Sequence, residues 1–122
     1  QMVKGWVDKA GQAHEKVIDV AWSDMTGTRR MIGGKVPAVG DTVDTTNATF
    51  TNTIGAPALS TVWSDPEFDP GSRAFYYVRV LMIPTPSWVD FDMVRFRLKL
   101  DAAIPLKQQE RAYTSPIWYE PA

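Results

Sequence analysis

The stretch from Ala74 to Ile83 constrains this chain more than any other, because its centre, Phe75-Tyr76-Tyr77-Val78-Arg79-Val80, is aromatic or β-branched at every position but one. Apolar residues fall on both faces of its period-two repeat, the pattern of a central strand covered on both sides. Such a strand needs partners, and the chain offers several short β-rich runs. Met2 to Val7 and His14 to Trp22 flank Asp8-Lys9-Ala10-Gly11-Gln12, where Gly11 supplies the positive φ of a short hairpin loop. In the second arm Ile18, Val20 and Trp22 alternate with Val17, Asp19 and Ala21, and the first set is the expected core face.

Thr45 to Thr53 and Leu59 to Trp63 are further strand candidates. Ser87 to Leu100 reads two ways: Ser87 with Asp90 can start a short helical turn near Val89 to Met93, while Val94, Phe96, Leu98 and Leu100 alternate like a strand. Arg111 to Tyr119 is β-rich, and Pro116, which cannot donate to a ladder, marks a bulge or an edge. Between these runs, Ser23 to Asp44 carries Gly27, Gly33, Gly34, Pro37 and Gly40 and is expected to be a long surface loop. Its Gly33-Gly34-Lys35 lacks the flanking spacing and helix of a phosphate loop.

Six or seven short strands separated by turns predict an all-β fold, an immunoglobulin-like antiparallel β-sandwich with at most one short helix. Residues 1–122 are expected to form a single domain, with Phe75, Tyr77, Val78, Val80, Ile18, Val20, Val94, Phe96 and Ile117 in its core.

Thirteen basic and fourteen acidic residues leave a net charge of -1, too little positive field to hold nucleic acid. No apolar run reaches the roughly 18 to 20 residues that span a bilayer, so membrane insertion is not expected. Without cysteine there is no disulfide or thiolate metal site. His14 is the single histidine, so no two-histidine metal site or Cys-His pair can form within the chain, and no GxSxG elbow is present. It reads as a strand-surface histidine, and no cofactor is expected.

Asp65, Glu67 and Asp69 alternate with Pro66, Phe68 and Pro70, and three carboxylates on one loop could hold Ca²⁺. The spacing does not match an EF-hand, and a solvated turn ahead of the central strand is the simpler reading. Asp90 and Asp92 suit a helix start better than an acid and base pair. Arg95, Arg97 and Lys99 read as the polar side of an alternating strand. Five tryptophans and four tyrosines raise a rival function, a carbohydrate-binding module with an aromatic platform. Trp6, Trp22, Trp63 and Trp118 lie in strand-like runs, where core is the expected place; Trp88 is the one expected to be exposed.

Three stretches resemble a known family: Val3-Lys4-Gly5-Trp6-Val7-Asp8 with His14-Glu15-Lys16-Val17, then Ala74 to Val80, then Gln109-Glu110-Arg111-Ala112-Tyr113-Thr114-Ser115-Pro116-Ile117-Trp118-Tyr119. Together they look like the C-terminal part of a large uncharacterised bacterial family, a domain of unknown function whose N-terminal part resembles a PHP-type metal-dependent hydrolase. The Gly-Asp-x-His-x-His metal motif of that part is absent here. Gln1 in place of an initiator methionine fits a piece of a longer protein. The resemblance implies a non-catalytic C-terminal accessory domain of an exported hydrolase, periplasmic or extracellular, packed on its own N-terminal catalytic domain. Trp88, Phe91, Trp118 and Tyr119 are the expected interface residues.

Overall fold

In the computed structural model, which describes residues 1–121, seven strands and one helix follow in the order β1 (Met2–Val7), β2 (Ala13–Ile18), β3 (Ala74–Leu81), β4 (Thr85–Pro86), α1 (Trp88–Phe96), β5 (Lys107–Gln108), β6 (Arg111–Tyr113) and β7 (Ile117–Tyr119). The molecule is all-β and sandwich-like, antiparallel in every strand pairing and 7% helical. The first hairpin forms where the sequence places it: Gly11 takes φ 79°, and Asp8 Oδ1 accepts from the N–H groups of Ala10 and Gln12. Strand β3 is central, with β1 on one side and both β6 and β7 on the other.

The far edge owes its shape to Pro116. Strand β7 pairs Phe75 with Trp118, whereas β6 pairs Arg79 with Tyr113, so the register slips by one residue between them. The extra residue is a bulge at Thr114 to Pro116, closed by the Thr114 N–H donating to Val78 O and the Val78 N–H donating to Thr114 Oγ1. Because side chains alternate along a strand, Tyr113 and Trp118 would face opposite ways without it. With it they share one face of the sheet with Phe75 and Tyr77.

A smaller ribbon of β4 and β5 carries α1. Ser87 caps the helix, accepting from the Asp90 N–H, and Arg97 ends it in the left-handed conformation at φ 53°. The expected extended stretch after Met93 is therefore corrected to helix as far as Phe96, and Arg95 and Arg97 belong to its last turn and cap, not to a strand.

Other expectations are corrected as well. The second arm leaves the ladder at Ile18, so Val20 and Trp22 are half-buried outside any strand. Thr45 to Thr53 forms no strand: Asp44 and Asn47 close a turn, Ala48 adopts φ 49°, and only Asp44 and Thr49 bridge. Leu59 to Trp63 stays unpaired. Gly33 and Gly34, both at positive φ, form the turn between bridged Ile32 and Lys35.

The core is thin. Val3, Ala48, Ala74, Val89 and Pro86 are buried; Phe75, Tyr77, Val78, Ile18 and Val20 are half-buried. Val80, Val94, Phe96 and Ile117, expected inside, are exposed. Val94 and Phe96 sit on α1, whose buried residues are Val89 and Asp90, and Ile117 lies on the edge strand.

Candidate functional site

One face of the sheet is closed by the loop that precedes β3, through a buried charge. Register places Lys4 between Lys16 and Tyr76. Only 5% exposed, its Nζ lies 2.5 Å from Asp65 Oδ2, donates to Glu67 O at 2.8 Å, and sits over the rings of Trp6 and Tyr76. The Tyr76 hydroxyl donates to the same Asp65 oxygen at 2.7 Å, while Asp65 Oδ1 accepts the Glu67 N–H at 2.9 Å. Burial pushes the Asp65 carboxyl up, but bonds from Lys4, Tyr76 and the Glu67 N–H outweigh it and hold the group below the usual carboxylate range. The Tyr76 phenol, desolvated and tied to that carboxylate, is pushed up to about 12.

These bonds decide what the acidic loop does. Asp65 pairs with Lys4; Glu67 accepts from Lys16 at 2.7 and 2.6 Å; Asp69 caps its own turn through the Gly71 N–H and the Ser72 hydroxyl. The three candidate calcium ligands thus point to three different partners. Among the described residues no three His, Cys, Asp or Glu side chains gather where an ion could sit. His14 is on the exposed surface of β2, stacked on Trp6 at 5.2 Å with Nε2 2.7 Å from Asp8 Oδ2. The cleft left beside Lys4, of about 260 Å³, is bounded by Trp6, Lys9, Asp69, Ala74 and Tyr76.

The other face of the sheet carries aromatic rings. Trp118 lies against Phe75 at 5.2 Å, Phe75 is parallel to Tyr77 at 6.3 Å, and Tyr77 meets Tyr113 at 6.1 Å. Pairing puts these rings on the side of Val3, Val7, Val17 and Leu81. Trp118 is 71% exposed, which corrects its expected core position, and Tyr113, Val7, Val17 and Leu81 are exposed with it. The Phe75 ring lies flat across Gly5, where an added Cβ would fall 2.2 Å from its Cζ.

Of the four expected interface residues, Trp88 and Phe91 are exposed on α1 and Trp118 on the aromatic face, so the structure separates them into two places in the fold. Tyr119 is half-buried on the other side of the sheet, edge-on to Phe68, with its hydroxyl donating to Pro70 O at 3.0 Å. Sequence reasoning missed Lys4, whose partners lie more than 60 residues away, and the row of aromatics, which depends on the bulge. Pro116 was the available signal for the second. No helix among the described residues is long and apolar enough to cross a membrane.

No curated protein and no solved structure matches the chain. A family model does match, over residues 1–121, and on that coverage the chain belongs to the family described as "Protein of unknown function (DUF3604)".

Proposed function

We propose that the chain is a non-catalytic accessory domain that packs on, and stabilises, the N-terminal catalytic domain of its parent protein, a PHP-type metal-dependent hydrolase exported to the periplasm or beyond. The observation that carries the reading is surplus surface. A self-contained protein of 13.7 kDa exposes about 6,600 Å². This chain exposes 9051 Å². The difference, about 2,500 Å², is more than an intrachain domain interface commonly needs, about 600–1,500 Å². Much of it is apolar side chain, and the aromatic face is the surface that an immunoglobulin-like sandwich would cover with a second layer. On this reading the catalytic domain supplies that layer.

The lone histidine and the loop carboxylates already serve structural bonds, which supports a non-catalytic role. Deleting residues 1–122 from the full-length protein should lower its melting temperature or solubility. Trp88→Ser with Phe91→Ser should do the same without unfolding the 122-residue chain. A parent equally stable, soluble and active without the domain overturns the proposal. The contiguous aromatic row favours a second reading, a carbohydrate-binding module that stacks sugars on Trp118. A shift of tryptophan emission with an oligosaccharide from a glycan panel, lost in Trp118→Ala, would select it.

A further inference from the structure

Asp90 follows the Ser87 cap of α1 at the position from which a carboxylate ordinarily turns back to accept the N–H of the cap residue. That N–H is already taken. Ser87 N–H donates to Leu106 O at 2.8 Å and the Ser87 hydroxyl donates to Pro105 O at 3.2 Å, so the helix start is fastened to the chain entering β5. Asp90 is nonetheless 0% exposed, and neither carboxylate oxygen has a hydrogen-bond partner among the described residues. Two charged groups act on it from neighbouring segments: Asp44, and Lys107 of β5, whose register partner Pro86 lies beside the helix start. Strand β4 carries no ionisable side chain. The Lys107 ammonium is held instead by Asp41, Nζ to Oδ2 at 2.5 Å, with side-chain exposures of 44% and 39%. Among the described residues this is the one ion pair between the β4–β5 ribbon and the loop from Asp41 to Thr49.

We infer that Lys107 is a counter-ion shared by Asp41 and Asp90: it clasps the Asp41 loop to β5 while Asp90 is protonated, and turns to Asp90 when that carboxyl ionises, releasing the loop. The relative strengths set the direction. An exposed pair contributes little, whereas an ionised carboxylate buried without a partner is costly, so once Asp90 has lost its proton the ammonium is better placed on it. A lysine, with its flexible stem and three rotatable donors, can make that change. Burial and the Asp44 charge push the Asp90 carboxyl up, which sets the change above the pH at which an exposed aspartate titrates. The Lys107 bond holds Asp41 low, so Asp41 is already ionised when Asp90 loses its proton. The device lies within the chain and is independent of what the domain docks on.

The test follows the carboxyl carbon shifts of Asp41, Asp44 and Asp90 by NMR in the 122-residue chain, from about pH 3 to 8. Asp41→Asn leaves Lys107 to Asp90 and should lower the pH at which Asp90 titrates by about one; Lys107→Met should raise it. Amide exchange from Val43 to Thr49, corrected for the intrinsic effect of pH, should quicken by about two- to fivefold as Asp90 ionises, the strength of one exposed pair. In Asp90→Asn that step should be missing and the loop should stay clasped at both ends of the range. An Asp90 that titrates at the same pH in the unaltered chain, in Asp41→Asn and in Lys107→Met has no share in Lys107, and the inference falls. It falls equally if the Asp90 titration moves as expected but the loop amides exchange alike on both sides of it.

Discussion

Replacing Asp65 by asparagine strikes the one place among the described residues where a charge is buried in an ion pair. Lys4 and Asp65 keep side-chain exposures of 7% and 8%, and the ammonium has no other carboxylate partner among the described residues. In the Asp65→Asn variant the side-chain amide would still accept from Tyr76, but Lys4 would be left buried without a counter-charge. Breaking a buried pair from one side costs about 3–5 kcal/mol. Here the cover is a single loop and the Glu67 carbonyl remains, so the low end, about 3 kcal/mol, is expected. That is a large share of the roughly 5–15 kcal/mol a domain has. Urea unfolding followed by tryptophan fluorescence reads it out. Lys16→Ala, which breaks the exposed Lys16–Glu67 pair, serves as the control and should cost less than about 1 kcal/mol. Lys4→Met combined with Asp65→Leu removes both charges and should recover most of the loss. A loss below about 1 kcal/mol for Asp65→Asn would refute the claim that this pair closes the loop over the sheet.

Three further outcomes follow from the same geometry. Gly5→Ala pushes a methyl into the Phe75 ring and should cost about 1–3 kcal/mol with a changed near-ultraviolet circular dichroism spectrum; an unaltered melting temperature contradicts that packing. Tyr76 ionises at about 12 when folded and about 10 when unfolded, so stability is full below pH 10 and is lost as pH rises toward 12, a fall that Tyr76→Phe should flatten. Asp90 is fully buried with both carboxylate oxygens unpartnered among the described residues, and burial, then the Asp44 charge, push its carboxyl up against the opposing pull of Lys107. Its folded pKa lies above the unfolded one, so its contribution is present at low pH and is lost as pH rises through the folded value; Asp90→Asn should remove that slope from urea midpoints measured across pH 3 to 7, a range of about four units around the ordinary carboxylate value.

Local signals were legible in the sequence and long-range ones were not. Gly11, the Ser87 cap and Pro116 each act within a few residues, and the hairpin, the helix start and the bulged edge lie where they indicate. The alternation of Val94, Phe96, Leu98 and Leu100 misled because the cap at Ser87 propagates helix through it as far as the left-handed Arg97. Thr45 to Thr53 has strand composition, but threonine hydroxyls also replace ladder bonds: Thr42 Oγ1 donates to Thr51 O and accepts from the Thr51 N–H. The partners of Asp65 and Glu67 could not be read at all, since they lie 61 and 51 residues away and depend on how β1 and β2 pair.

The central claim, that this domain docks on the catalytic domain of its parent, is tested most directly by residue-resolved oxidative footprinting. The comparison is between the full-length protein and the 122-residue chain, at Trp118, Tyr113 and Trp88. In the isolated chain Trp118 and Trp88, each 71% exposed, should both react readily. The account predicts that Trp118 and Tyr113 become protected together in the full-length protein, since they share the face to be covered. Equal reactivity of all three residues in both proteins would contradict it.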